Sequence, residues 1–166
     1  MSLSPLLLLM ISPALMTGHV AQGEAEYLLT ILPSLDGGTR ARGIDINDAG
    51  TIVGISNTMG GSYAHAVRWD SSTITDLTGL GISPTQASGI NSAGVIVGVS
   101  DEFGINAFQW ENGAVHPLEM PGSCCSEANA INDTGMICGN VPLHGIGTRT
   151  ATIWIEGTWH LLLDPA

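Results

Sequence analysis

From residue 41 onward apolar and polar positions alternate in short bursts, broken by Gly, Asn, Asp or Ser. Ile44 and Ile46, Val67 and Trp69, and Phe108 and Trp110 stand two apart. That is the period of a strand whose two faces meet different surroundings. Val, Ile, Thr and Trp fill the bursts, as pleated surfaces favour. The pattern predicts strands at 41–46, 51–56, 64–69 and 73–77, then 87–90, 95–100, 106–110 and 114–118, and then 128–131, 136–141, 149–155 and 158–163. A further strand is expected at 27–32, and no segment holds a helical period convincingly.

The bursts repeat as a group. Ile46-Asn47-Asp48-Ala49-Gly50 returns as Ile90-Asn91-Ser92-Ala93-Gly94 and as Ile131-Asn132-Asp133-Thr134-Gly135. The spacing is 44 and then 41 residues. Four residues after each of these glycines stands another, at Gly54, Gly98 and Gly139. Each unit then reaches a tryptophan at the end of its third strand, Trp69, Trp110 and Trp154. The units span about 41–86, 87–127 and 128–166. Matched order at a fixed period is the signature of a repeat architecture. The first unit reads as two residues longer before its turn, Gly43-Ile44-Asp45-Ile46 against Gly89-Ile90.

Asn-x-x-Gly has a direct physical reading. A type I turn favours Asn at its first position, where the side chain accepts a backbone N–H two residues on. It favours Gly at the fourth, where the chain enters positive φ. Asn47, Asn91 and Asn132 are therefore turn formers, with Gly50, Gly94 and Gly135 as their partners. Gly54, Gly98 and Gly139 lie inside strands, which marks a bulge or the close approach of a neighbour. The tryptophans are the large core side chain of each sheet.

The units resemble the HAF family of extracellular repeats. The unit of that family reads A-x-x-I-N-x-x-G-x-I-V-G, then H-A-F-x-W, then D-L-G-x-L-G-G. The first part stands here as Ala87 to Gly98, the second as Asn106-Ala107-Phe108-Gln109-Trp110, and the third weakly as Asp76-Leu77-Thr78-Gly79-Leu80-Gly81. The resemblance covers about residues 27–164. It implies an all-β protein of four-stranded units like propeller blades, secreted or held at the cell surface, and it implies no chemistry. Its motif histidine is kept only as His65. Propellers close with four to eight blades, so three units make an open or incomplete propeller. A β-trefoil, which closes with three units, is the alternative.

The N-terminus has another character. Leu6 to Met16 is an apolar run interrupted at Pro13, followed by Ala21-Gln22-Gly23. This predicts a signal peptide over 1–23 with cleavage before Glu24, although no Lys or Arg precedes the run. The mature 24–166 would be a single all-β repeat domain. No other segment is apolar enough to span a membrane.

Composition narrows the function classes. The chain has 166 residues and 22 glycines, four arginines and no lysine, fifteen acids, and a net charge of −11. Nucleic-acid binding and attachment to anionic lipid both need clustered cations, which this chain lacks. Cys124 and Cys125 lie between units, and Cys138 takes the place of Val53 and Val97. Cys138 reads as a small buried apolar residue, or as a disulfide partner of Cys124 or Cys125. The histidines lack ligand spacing, and Asp45 to Gly50 lacks the acids of a calcium loop, so no metal or cofactor is expected. One acid per unit follows the tryptophan, Asp70, Glu111 and Glu156, the last with Ile155 between. A glycosidase needs such carboxylates to converge, whereas here they read as turn openers. The expectation is a non-catalytic secreted protein that presents a surface to a protein or glycan ligand and self-associates. A fragment of a propeller-type hydrolase is the alternative.

Overall fold

The structure, a computed structural model, describes residues 29–61, 64–71, 73–78, 84–101, 106–120, 125–142 and 149–162. The chain divides into two units, Met1–Thr30 and Ile31–Ala166, and every strand described lies in the second. The predicted leader and residues 27–28 of the predicted extra strand lie outside the described residues. Residues 29–32 form no strand.

The second unit is all-β. Its first blade comprises β1 (Ala41–Ile46), β2 (Ile52–Asn57), β3 (Ala64–Asp70) and β4 (Thr73–Asp76). The next comprises β5 (Pro84–Ile90), β6 (Ile96–Ser100), β7 (Asn106–Glu111) and β8 (Ala114–Pro117). The last comprises β9 (Glu127–Ile131), β10 (Ile137–Pro142), β11 (Arg149–Ile155) and β12 (Thr158–Leu161). Each blade is its own antiparallel meander, with its strands paired in chain order. The trefoil is thereby excluded, because no sheet draws strands from two units. The three sheets do not close into a ring.

The turn chemistry takes the predicted form. Gly50, Gly94 and Gly135 have φ of 80°, 81° and 81°. Their N–H groups bond the carbonyls of Asn47, Asn91 and Asn132 at 2.9, 3.0 and 3.0 Å. Asn47 Oδ1 accepts from Ala49 N and Thr51 N, and Asn132 Oδ1 from Thr134 N and Met136 N. Gly54, Gly98 and Gly139 serve a different need. Each pairs with its first strand at a bulge, where a Cβ would enter the carbonyl oxygen of Arg42, Gln86 or Glu127. The bulges also remove the insertion expected in the first unit. Gly43, Ala87 and Ala128 all face the in-strand glycine of their own blade, so they are the equivalent positions.

The first two blades use both faces, and the third uses one. Val53, Ala66 and Leu77 of the first pack against Ala87, Ile90, Ile96 and Phe108 of the second, with Trp110 and Val115 beside them. Val97, Ala107 and Leu118 of the second pack in the same way against Ala128, Ile137, Val141 and Trp154 of the third. The third core lies on the opposite face of the first blade, where Leu35 meets Val67 and Trp69, flanked by Leu32, Ile52 and Ile74. Trp69 and Trp154 are fully buried. Trp110 is only half-buried, which departs from the expectation of three equal cores.

Candidate interaction surface

The junction between blades is polar at one edge and apolar across its breadth. At the edge the turn residues Asn47 and Asn91 perform a second task. Asn47 Nδ2 donates to the Asn91 carbonyl at 3.0 Å, and Asn91 Nδ2 donates to the Asn132 carbonyl at 3.2 Å. The residue that shapes one turn thus ties it to the next. Two further bonds cross here, Ile90 N to Asp45 Oδ2 at 2.9 Å and Ser92 N to Asp133 Oδ1 at 2.8 Å. The Ser92 N–H lowers the Asp133 carboxyl from its ordinary value. The Arg68 guanidinium lies 5.3 Å from the centre of the Trp110 ring, a cation–π contact across the first junction.

The third blade repeats the outgoing half of this junction and leaves it bare. Leu77, Leu118 and Leu162 each bond the carbonyl of the matching alanine, Ala66, Ala107 or Ala151. Leu77 is 1% and Leu118 7% exposed, but Leu162 is 52% exposed. Ala66 and Ala107 are buried and Ala151 is exposed. Val53 and Val97 are buried, while Cys138 in their place is an exposed free thiol. Both expectations for Cys138 are therefore corrected. It is exposed rather than buried, and it is not bridged. Cys125 is disulfide-bonded, and Cys124 lies outside the described residues.

The first blade has the incoming half, partly covered. Ile46 is 59% exposed, against 6% for Ile90 at the equivalent place. Gly43, Ile44, Ile46 and Ile52 line a shallow, mainly apolar depression of about 320 Å³ that Leu32 borders. Farther out, Leu32 to Leu35 lie over Trp69, whose Nε1 donates to the Pro33 carbonyl at 2.8 Å. Trp154 Nε1 makes the same bond to the Glu119 carbonyl at 2.7 Å. Sequence reasoning missed this cap. The signal available was the likeness of Leu32 and Leu35 to Leu77 and Leu80.

The acids are not brought together. Asp70 and Glu111 end equivalent strands, but Ile155 fills that register position in the third blade. Glu156 falls one residue later, at φ 50° in the hairpin turn with Gly157. Asp70 is occupied by Arg68 and by Thr51 at 2.9 Å, which lower its carboxyl. His65 Nδ1 lies 2.8 Å from Asp76 Oδ2, and Thr78 donates to the other Asp76 oxygen at 2.7 Å. Burial raises the Asp76 carboxyl; the bonds from Thr78 and His65 outweigh it and leave the group lowered. Burial likewise raises Glu127, and Arg149 with Asn140 bring it down. These pairs lock neighbouring strands. Among the described residues no three His, Cys, Asp or Glu gather as a metal site would need.

An open cleft of about 930 Å³ runs beside β1 and the ends of β2 and β3, with Arg40 and Arg42 along it. Of the two segments that differ most between the units in sequence, the third unit's loop 141–148 is described only to Pro142, and residues 121–124 of the Cys-containing loop between units lie outside the described residues. Compared with protein-family models and with the curated proteins, the chain finds no match. Among the described residues no helix is long and apolar enough to cross a membrane.

Proposed function

We propose that this chain is an exported, non-catalytic β-repeat protein that works as a binding or structural surface module. One observation carries the reading. The triad that is core in the first two blades is exposed in the third, where Cys138, Ala151 and Leu162 form a face shaped like the two internal junctions. The HAF-like motifs agree with that reading, since in this chain they specify turns, bulges and junctions. Export rests on the apolar run at residues 6–16 and the small residues ending at Gly23.

Two measurements test the reading. Mass spectrometry of protein recovered from periplasm or medium gives a new N-terminus at Glu24, or at Glu26 where the cut falls after Ala25; an intact Met1 there contradicts export. Leu162→Asp leaves the unfolding midpoint of the dilute chain in place, whereas Leu118→Asp collapses it. Equal collapse in both means that the third face is core and presents nothing.

A further inference from the structure

The two ends of the array are the two halves of one junction. The outgoing half, on the third blade, offers Cys138, Ala151 and Leu162, with Ile153 between them in the sheet. It also offers a donor. Asn132 Nδ2 corresponds to the Asn47 and Asn91 amides that cross each internal junction, and among the described residues no acceptor meets it. The incoming half, on the first blade, offers Gly43, Ile46 and Ile52 where Ala87, Ile90 and Ile96 receive the first blade's triad. It also offers an acceptor. The carbonyls of Asn91 and Asn132 each take a turn N–H and a cross-blade amide, whereas among the described residues the Asn47 carbonyl takes only its own turn's N–H.

The cap fixes how the halves would meet. The Pro33 carbonyl does for Trp69 what the Glu119 carbonyl does for Trp154, so Leu32 stands where Leu118 stands. Leu118 in turn is equivalent to Leu162, because both bond the alanine carbonyl of their own third strand. Leu32 therefore holds the place that an arriving Leu162 requires.

We infer that a second copy of this chain docks its third blade onto the first blade of its neighbour, with Leu162 displacing Leu32 beside Trp69, and that two copies so joined close six blades. This rests on the surface-module reading and names its partner. The contact is head-to-tail, so it uses two different patches and closes only if the rotation returns. Six blades lie within the range in which propellers close. Each junction formed this way repeats one made twice inside the chain, with an Asn132 amide on an Asn47 carbonyl at its edge.

Size exclusion with light scattering on the full chain, over a range of concentrations, tests the inference. The expected result is a monomer that becomes a dimer as concentration rises. Leu162→Asp and Ile46→Asp each abolish the dimer alone, and mixing the two variants restores one intact junction and a mixed dimer. Asn132→Asp weakens association about tenfold per junction, the worth of one hydrogen bond. Leu32→Ser loosens the cap and strengthens association. Unchanged far-ultraviolet circular dichroism confirms that each variant is folded. A monomer at every concentration overturns the inference but leaves the surface module standing with another partner. A dimer lost only with Leu162→Asp is face-to-face and overturns it too. Larger open species overturn the six-blade closure, and weaker association with Leu32→Ser overturns the displacement.

Discussion

Changing the turn asparagines to aspartate separates their two tasks. Aspartate keeps the oxygen that accepts the turn N–H groups and loses the amide that crosses to the next blade. Asn91 is 5% exposed, with its amide 3.2 Å from the Asn132 carbonyl and its Oδ1 3.0 Å from Val95 N. Asn91→Asp replaces that donor with an anionic oxygen facing a carbonyl oxygen in a buried place. The lost bond is worth about 1 kcal/mol and the uncompensated acceptor pair about 1–3 more, so the expected loss is about 2–4 kcal/mol. Asn47→Asp, half-buried, costs about 1–2 kcal/mol by the same reasoning. Asn132→Asp costs at most about 0.5 kcal/mol in the dilute chain, since aspartate also suits the turn. Urea denaturation followed by tryptophan fluorescence reads all three, with midpoints compared at a common slope. The Asn91→Asp loss also shrinks in acid. The introduced carboxyl has its folded-state pKa raised by burial and the facing carbonyl, so stability relative to wild type returns as pH falls through that value. Equal losses at positions 91 and 132 refute the cross-blade task.

Three further outcomes follow from particular contacts. Gly98→Ala drives a Cβ into the Gln86 carbonyl and destabilises by about 2 kcal/mol or more, beyond the roughly 1 kcal/mol for Gly94→Ala, which meets only a φ of 81°; thermal melts rank the two, and a neutral Gly98→Ala contradicts the close approach. Trp69→Ala and Trp154→Ala each cost roughly 3–5 kcal/mol and half-buried Trp110→Ala less, with equal losses in chemical denaturation contradicting the burial order. Asp76 is held below its ordinary 3.8, so its pairing stabilises above that value and is lost as pH falls through the lowered value; the gap between wild type and Asp76→Asn closes as pH drops below about 4. A gap that widens in acid reverses the sign.

Local chemistry was legible and context was not. Asn47, Asn91 and Asn132 were readable as turn formers because an Asx side chain and a left-handed glycine act within five residues. Their amides' second bonds join residues 44 and 41 positions apart, which one chain's spacing cannot display. The strands followed from alternation, and 41–46 and 149–155 stand at the bounds expected. The bulges did not follow, because the extra residue on the first strand shows only in the pairing. That is why Gly43 matched Gly89 by identity when its structural partner is Ala87. Residue 138 sits on a valine position, and its exposure depends on what packs against that face, a tertiary fact. Leu32 to Leu35 resembled the end of a unit, yet they work as a cap held by Trp69 and, through Leu35 N, by Ser56 Oγ at 2.9 Å. Glu156 matches Asp70 and Glu111 by nearness to a tryptophan, whereas the strand pairing puts it in the turn.

The rate at which a small alkylating reagent modifies Cys138, measured by peptide mass against protein concentration, tests most directly whether the bare face is a junction waiting for its other half. Cys138 is the exposed free thiol at the centre of that face. The account predicts fast modification in dilute protein and progressive protection as concentration rises, following the light-scattering dimer and disappearing with Ile46→Asp. A rate that stays the same across the whole concentration range contradicts it.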